Sequence, residues 1–144
     1  MILRYPYITA TLFIWIGFIC AISFMESWLK FKAPGVTVPL GLGIGRLVFG
    51  ALNKVEWILG AIIIINFWLY RDSLFSSKYI LFCIPLLILI VQTFWLLPAL
   101  DARADVVIKG AQPPASYLHI YFVVAEVIKL STLFLFSTKF YTTA

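Results

Sequence analysis

The chain has 144 residues, of which 63% are hydrophobic and 12% charged, and its mean hydropathy is +1.05. A soluble domain is about half apolar and about a quarter charged, so this chain has too little charge to coat a water-facing surface and too much apolar surface for any solvent but a bilayer. A net charge of +5 and a pI of 9.4 would ordinarily raise nucleic acid as a partner. Here the basic residues stand singly between apolar runs. Lys30, Lys32, Arg71, Lys78, Arg103, Lys109 and Lys139 read as flanks that snorkel toward lipid phosphates, which points to the lipid bilayer and away from nucleic acid.

A helix needs roughly 20 apolar residues to cross the hydrocarbon. Four such spans with short connections use nearly the whole chain, so the fold class is all-α, an integral membrane four-helix bundle, with residues 1–144 forming a single transmembrane domain. The first span is expected at about residues 7–29. It is too long for a signal-peptide core and lacks an Ala-x-Ala-like cleavage site, so it reads as a retained helix. Lys30 to Gly35 makes a loop, with Pro34 as helix breaker and Gly35 as turn former.

The next stretch, residues 38–50, is apolar and glycine-rich (Gly41, Gly43, Gly45, Gly50). Joined to the apolar run that ends at Tyr70, it would make a helix of roughly 50 Å at 1.5 Å per residue, against a hydrocarbon core of about 30 Å. Either one long tilted helix projects from the membrane, or an interfacial or re-entrant segment precedes a second span at about 52–70. Glycine weakens a helix, which favours the segmented alternative. Arg71 to Lys78 marks a polar turn. The third span, about 79–97, contains Pro85, which suggests a kink, and Pro98 with Asp101 to Asp105 ends it. The fourth, about 115–137, starts near Ser116, a candidate cap. Four spans place both termini on one side. The Lys and Arg balance between the two sides is too even to orient the chain.

Ionisable groups at membrane depth cost several kcal/mol and are functional candidates by default. Glu26, Arg46, Glu56, Glu126 and Lys129 are such groups, joined by Asn53, Asp101 and His119, the one histidine. His119, Phe122, Glu126 and Lys129 are spaced by three and four and share one helical face, and Glu126 can pair directly with Lys129. Arg46, Gly50, Asn53 and Glu56 form a second stripe. Glu26, Asp101, His119 and the start of the second helix lie on one membrane side, so these residues can converge on one polar cluster with Glu126 and Lys129 deeper. One interpretation is mutual neutralisation, Glu56 by Arg46 or Lys54 and Glu126 by Lys129. Another is an ion, proton or small-ligand site. A third is a metal site built from Glu26, Glu56, His119 and Glu126, in the manner of carboxylate-rich bundles, although the usual Glu-x-x-His motif is missing.

A single histidine excludes a haem with two histidine ligands within one chain. No phosphate-binding loop and no nucleophile elbow is present, and whether a cofactor is used is left unknown by the sequence. Cys20 and Cys83 fall inside spans as packing thiols rather than a disulfide framework. Gly41-x-x-x-Gly45 suits close approach of a helix or lipid, or an oligomer contact. Trp28, Trp57, Trp95 and Tyr117 fit an interfacial aromatic belt. Trp68 is a candidate for the interface at the other side, and Trp15 needs a different account.

The order Phe31-Lys-Ala-Pro34, Gly45-Arg46-x-Val-Phe49, Asn53-x-x-Glu56-Trp57, Leu100-Asp-Ala-Arg103 and Ser116-x-Leu-His119 resembles the TMEM-type cisplatin-resistance-associated family of small four-span membrane proteins and its bacterial relatives. The resemblance implies a topology over most of the chain and almost no chemistry, because that family has no settled activity. Asn53-x-x-Glu56 after Arg46 is also faintly similar to the membrane glutathione transferases, whose dense basic cluster is absent here. Lack of extramembrane mass and of catalytic signatures points to a non-catalytic accessory subunit or helper, working with other membrane subunits or as a homo-oligomer. The alternative is a metal- or proton-linked membrane enzyme or carrier built on the carboxylate/His cluster.

Overall fold

The structure, a computed structural model, describes residues 2–3, 5–70 and 80–142. Four helices in it are long and apolar enough to cross a membrane: α1, Pro6–Lys32; α2, Val38–Leu69; α3, Ile80–Ile108; and α4, Leu118–Phe140. The protein is a multi-pass, all-helical bundle, apart from a two-residue antiparallel pairing of Ile2–Leu3 with Tyr141–Thr142 that brings both termini to one end. The polar turn expected at 71–78 lies outside the described residues. α1 packs against α2 and α4. The first half of α3 packs on α4, and its second half packs on α2.

The local chemistry explains where each helix begins and stops. Pro6 opens α1, where its missing N–H costs nothing. α1 ends in a turn in which the Val36 N–H reaches the Ala33 carbonyl at 3.2 Å, with Pro34 and Gly35 (φ +82°) at the central positions that a type II turn asks of them. Thr37 caps α2 by accepting from the Leu40 N–H at 3.4 Å. α3 closes with Gly110 at φ +85°. The Gly110 N–H reaches Val107 O at 2.9 Å and the Ala111 N–H reaches Val106 O at 3.0 Å, the paired bonds of a Schellman cap. α4 begins at Leu118, with Tyr117 and not Ser116 at the N-cap position; Ser116 stands one residue earlier and its Oγ accepts from the Leu118 N–H at 3.1 Å.

Two boundaries differ from the sequence expectation. α2 is a single unbroken helix of 32 residues, so there is no separate segment before residue 52. The glycine penalty, about 1 kcal/mol each in water, is offset where the glycines sit by the Thr37 cap, by the close seats that Gly41 and Gly45 give Phe31 and Lys30 and by the Arg46 bridge to α3. The helix stays intact through Gly41, Gly43, Gly45 and Gly50. α3 likewise runs past Pro98 and Asp101 to Ile108. It passes the proline by widening into a π-helical turn over Gln92–Leu96, in which the Leu97 N–H bonds the Gln92 carbonyl five residues back. A second wide turn, Cys20–Glu26, interrupts α1.

At 1.5 Å per residue, α2 is roughly 48 Å long and α3 roughly 43 Å, both longer than a hydrocarbon core of about 30 Å. Their extra turns lie side by side at the end carrying the 33–37 and 109–117 connections, the loop end. At the other end, the terminal end, the core is a layer of rings. Phe82 stacks on Phe136 at 5.4 Å, and Phe136 meets Phe140 edge-on at 5.0 Å. Ile8, Leu12, Ile63, Phe67 and Leu133 are fully buried around them. Dispersion between closely fitted rings holds such a layer together, because lipid removes most of the hydrophobic drive.

Candidate functional site

On α4 the stripe Phe122, Glu126, Lys129 faces inward, as its spacing predicts. Lys129 is 0% exposed, Glu126 1% and Glu56, from α2, 2%. The Lys129 ammonium has three N–H donors, and three acceptors receive them: Glu56 Oε1 at 2.5 Å, Glu126 Oε1 at 2.6 Å and Gln92 Oε1 at 2.7 Å. Gln92 Nε2 donates to Glu126 Oε1 at 2.6 Å, Ser23 Oγ donates to Glu126 Oε2 at 2.5 Å, and the Trp15 indole donates to Glu56 Oε1 at 2.8 Å. No buried side-chain nitrogen or oxygen among the described residues lacks a partner. α2 and α4 supply the charges, while α1 and α3 supply neutral hydrogen-bonding groups. Ser23 and Gln92 both sit in the wide turns of their helices, the kind of helical irregularity that recurs at functional sites.

The charge of this cluster does not close. Two carboxylates face one ammonium, so the fully ionised triad holds one negative charge too many. In a low-dielectric bundle that surplus is costly unless a proton or a cation answers it.

From the triad toward the loop end runs a cavity of about 540 Å³. Its inner end is Glu126 and Ser23. Phe31, Phe49 and Phe122 form much of its apolar wall, and Lys30, Arg46, Asp101, Arg103 and His119 lie nearer the connections. Lys30 pairs with Glu26 at 3.1 Å and sits 5.5 and 5.8 Å from the ring centres of Phe31 and Phe49. Arg46 bridges α2 to α3, with Asp101 at 3.7 Å and a short contact to Asp105. A Cβ on Gly41 would run into the Phe31 ring, and one on Gly45 would meet Lys30 Nζ at 3.3 Å. The Gly-x-x-x-Gly pair therefore seats two side chains of this same chain.

Of the candidates read from the sequence, Glu56, Glu126 and Lys129 come together, and His119 and Asp101 line the cavity beside them. Glu56 is neutralised by Lys129 and not by Arg46 or Lys54, because α4 brings the ammonium to it across the bundle whereas Arg46 lies more than two turns away and faces α3. Glu26 is held by Lys30, near the cavity but apart from the triad. Asn53 belongs to a separate polar knot, donating to Thr93 Oγ1 at 3.0 Å, where Trp57 also donates at 2.9 Å. Among the described residues no three His, Cys, Asp or Glu side chains are placed to hold a metal. Glu26, Glu56, His119 and Glu126 do not meet, and the Lys129 ammonium already stands between the two carboxylates that do. Cys20 is exposed on the outer surface rather than packed inside.

Sequence reasoning missed the neutral members Trp15, Ser23 and Gln92, and the rim carboxylate Asp105. Gln92 carried a usable signal, a polar amide in the middle of an apolar span. Ser23 and Trp15 carried none, since either residue type is common in a membrane helix.

Fold and site together define the class: a four-helix, multi-pass membrane bundle with a buried carboxylate–ammonium triad at the inner end of an open cavity. No family model, curated protein or solved structure matches the chain.

Proposed function

We propose that the protein is a membrane-embedded binding protein or carrier for a small molecule, which enters the loop-end cavity and engages Glu126 in a proton-linked manner. One observation carries this reading: Glu126 is both a wall of the cavity and an arm of the triad. Whatever comes close to its carboxylate alters the charge balance felt by Lys129 and, through it, by Glu56. A purely structural ion pair needs no opening beside it. The surplus negative charge gives the site a reason to exchange a proton as it fills and empties.

The accessory-subunit reading stands second. It is favoured by the short connection Ala33 to Thr37 between α1 and α2, which leaves little chain outside the bilayer at that point. The motif resemblance to the TMEM-type family supports the same four-span topology and adds no chemistry.

Native mass spectrometry separates the two. The full chain is extracted gently from its native membrane, as wild type and as Val123→Trp, which puts a large ring into the cavity wall. Under the binding reading, wild type retains about one small molecule per chain and Val123→Trp loses it. Wild type without any small-molecule adduct, but with a stable protein partner, would overturn the binding reading in favour of the accessory subunit.

A further inference from the structure

We propose that the occupant of the cavity is an amphipathic organic monocation whose positive charge completes the triad. The inference rests on the binding reading and names the chemistry of the ligand.

The charges around the cavity argue for the sign. Lys129 spends all three N–H groups on Glu56, Glu126 and Gln92 and still leaves one carboxylate charge unanswered. Lys30 and Glu26 cancel. Arg46 faces two carboxylates, Asp101 and Asp105, so this rim cluster is also negative by one, and Arg103 offsets it. The charged side chains that line the cavity itself, Lys30, Arg46, Asp101, Arg103 and Glu126, sum to +1; with the groups ion-paired to them, Glu26, Asp105, Lys129 and through it Glu56, the linked set carries one surplus negative charge, although the chain as a whole is +5. The surplus sits at the buried inner end, where water screens it least.

The walls argue for an organic ion. A small inorganic cation wants a shell of oxygen ligands, and the triad oxygens are already taken up by Lys129, Gln92, Ser23 and Trp15. Glu126 Oε2 alone is lightly used, accepting one hydrogen bond, from Ser23. The remaining wall is mostly apolar, aliphatic residues mixed with rings, and Phe49 and Phe122 meet there edge to face at 5.3 Å. Ring faces attract cations, and Phe31 and Phe49 already flank the ammonium of Lys30. A volume of about 540 Å³ falls in the range of pockets that enclose a small organic molecule. A positive head against Glu126 with an apolar body along the rings matches both ends of the space.

The test uses the full chain in lipid nanodiscs and isothermal titration, with empty discs subtracted. Three probes of similar size are compared: benzyltrimethylammonium, its neutral isostere neopentylbenzene, and the anion 3-phenylpropionate. The cation should bind about tenfold or more tighter than the neutral isostere, and the anion should not bind. Glu126→Gln should erase the preference for the cation and keep the affinity for the neutral probe. That variant leaves Glu56 and Lys129 as a balanced pair, which favours its folding, and the probe series on wild type decides the matter without it. Equal affinity for cation and isostere would overturn the charge assignment while leaving a binding cavity in place. If no probe binds and Val123→Trp leaves the mass spectrum of the purified chain unchanged, the binding reading fails with it.

Discussion

At the terminal end of the bundle, four helices close on a layer of phenylalanine rings in which Phe82, Phe136 and Phe140 are in direct ring contact. At the loop end, the same helices stand around an open cavity, bridged by Arg46 to Asp101 and Asp105 and by Lys30 to Glu26. The triad lies between the two regions. Along α4, Lys129 leads on to Leu133, Phe136 and Phe140, all buried, while Glu126 is preceded by Phe122 and the cavity. The rings seal one side of a charged cluster and the cavity opens the other. That asymmetry is what the proposed binding from one end requires.

The largest test of the contrast is the triad itself. Lys129→Met leaves two buried carboxylates facing each other and is expected to cost about 3–5 kcal/mol, read as a large drop in thermal unfolding temperature in detergent. Adding Glu56→Gln and Glu126→Gln to the same chain should recover most of that loss. A single Lys129→Met variant as stable as wild type would show that the ammonium does not balance these carboxylates.

Next come the rings. Phe136→Ala opens a void in a packed layer and should cost about 3–5 kcal/mol. Phe49→Ala, at the cavity wall, should cost only the aromatic pairing, about 1 kcal/mol. Equal losses on thermal unfolding would erase the distinction between a sealed and an open end.

Trp15→Phe keeps the bulk of the ring and removes the N–H that donates to Glu56 Oε1, which Lys129 still serves, so a loss of about 1.5–3 kcal/mol is expected, the worth of one hydrogen bond to a charged group. Combined with Glu56→Gln the two losses should be less than additive, because both act on one hydrogen bond.

The smallest contrast compares two glycines in one helix. A methyl at Gly43 meets nothing within 4 Å, whereas a methyl at Gly41 runs into Phe31. Gly43→Ala should be neutral or gain up to about 1 kcal/mol from helix propensity. Gly41→Ala should lose about 1 kcal/mol by displacing the ring. Parallel unfolding curves for the two variants would argue against Gly41 as the seat of Phe31.

The solvent of this protein, the number of its helices and the pairing of Glu126 with Lys129 were all legible in the linear chain. Each rests on short-range facts: how many apolar residues run together, how few charges interrupt them, and which residues stand three or four apart on one helical face. Where helices end was less legible. The continuous α2 and the passage of α3 through Pro98 depend on contacts between distant segments, Phe31 on Gly41, Lys30 on Gly45 and Arg46 on Asp101 and Asp105, which outweigh the local preferences of glycine and proline.

The partner of Glu56 was decided only by the tertiary structure. Arg46 and Lys54 are its near neighbours in sequence, but Lys129, 73 positions away, reaches it because α2 and α4 face the same interior. Ser23, Gln92 and Trp15 join for the same reason. Hydrogen bonds act over about 3 Å in space, and separation along the chain says nothing of that distance once helices pack side by side.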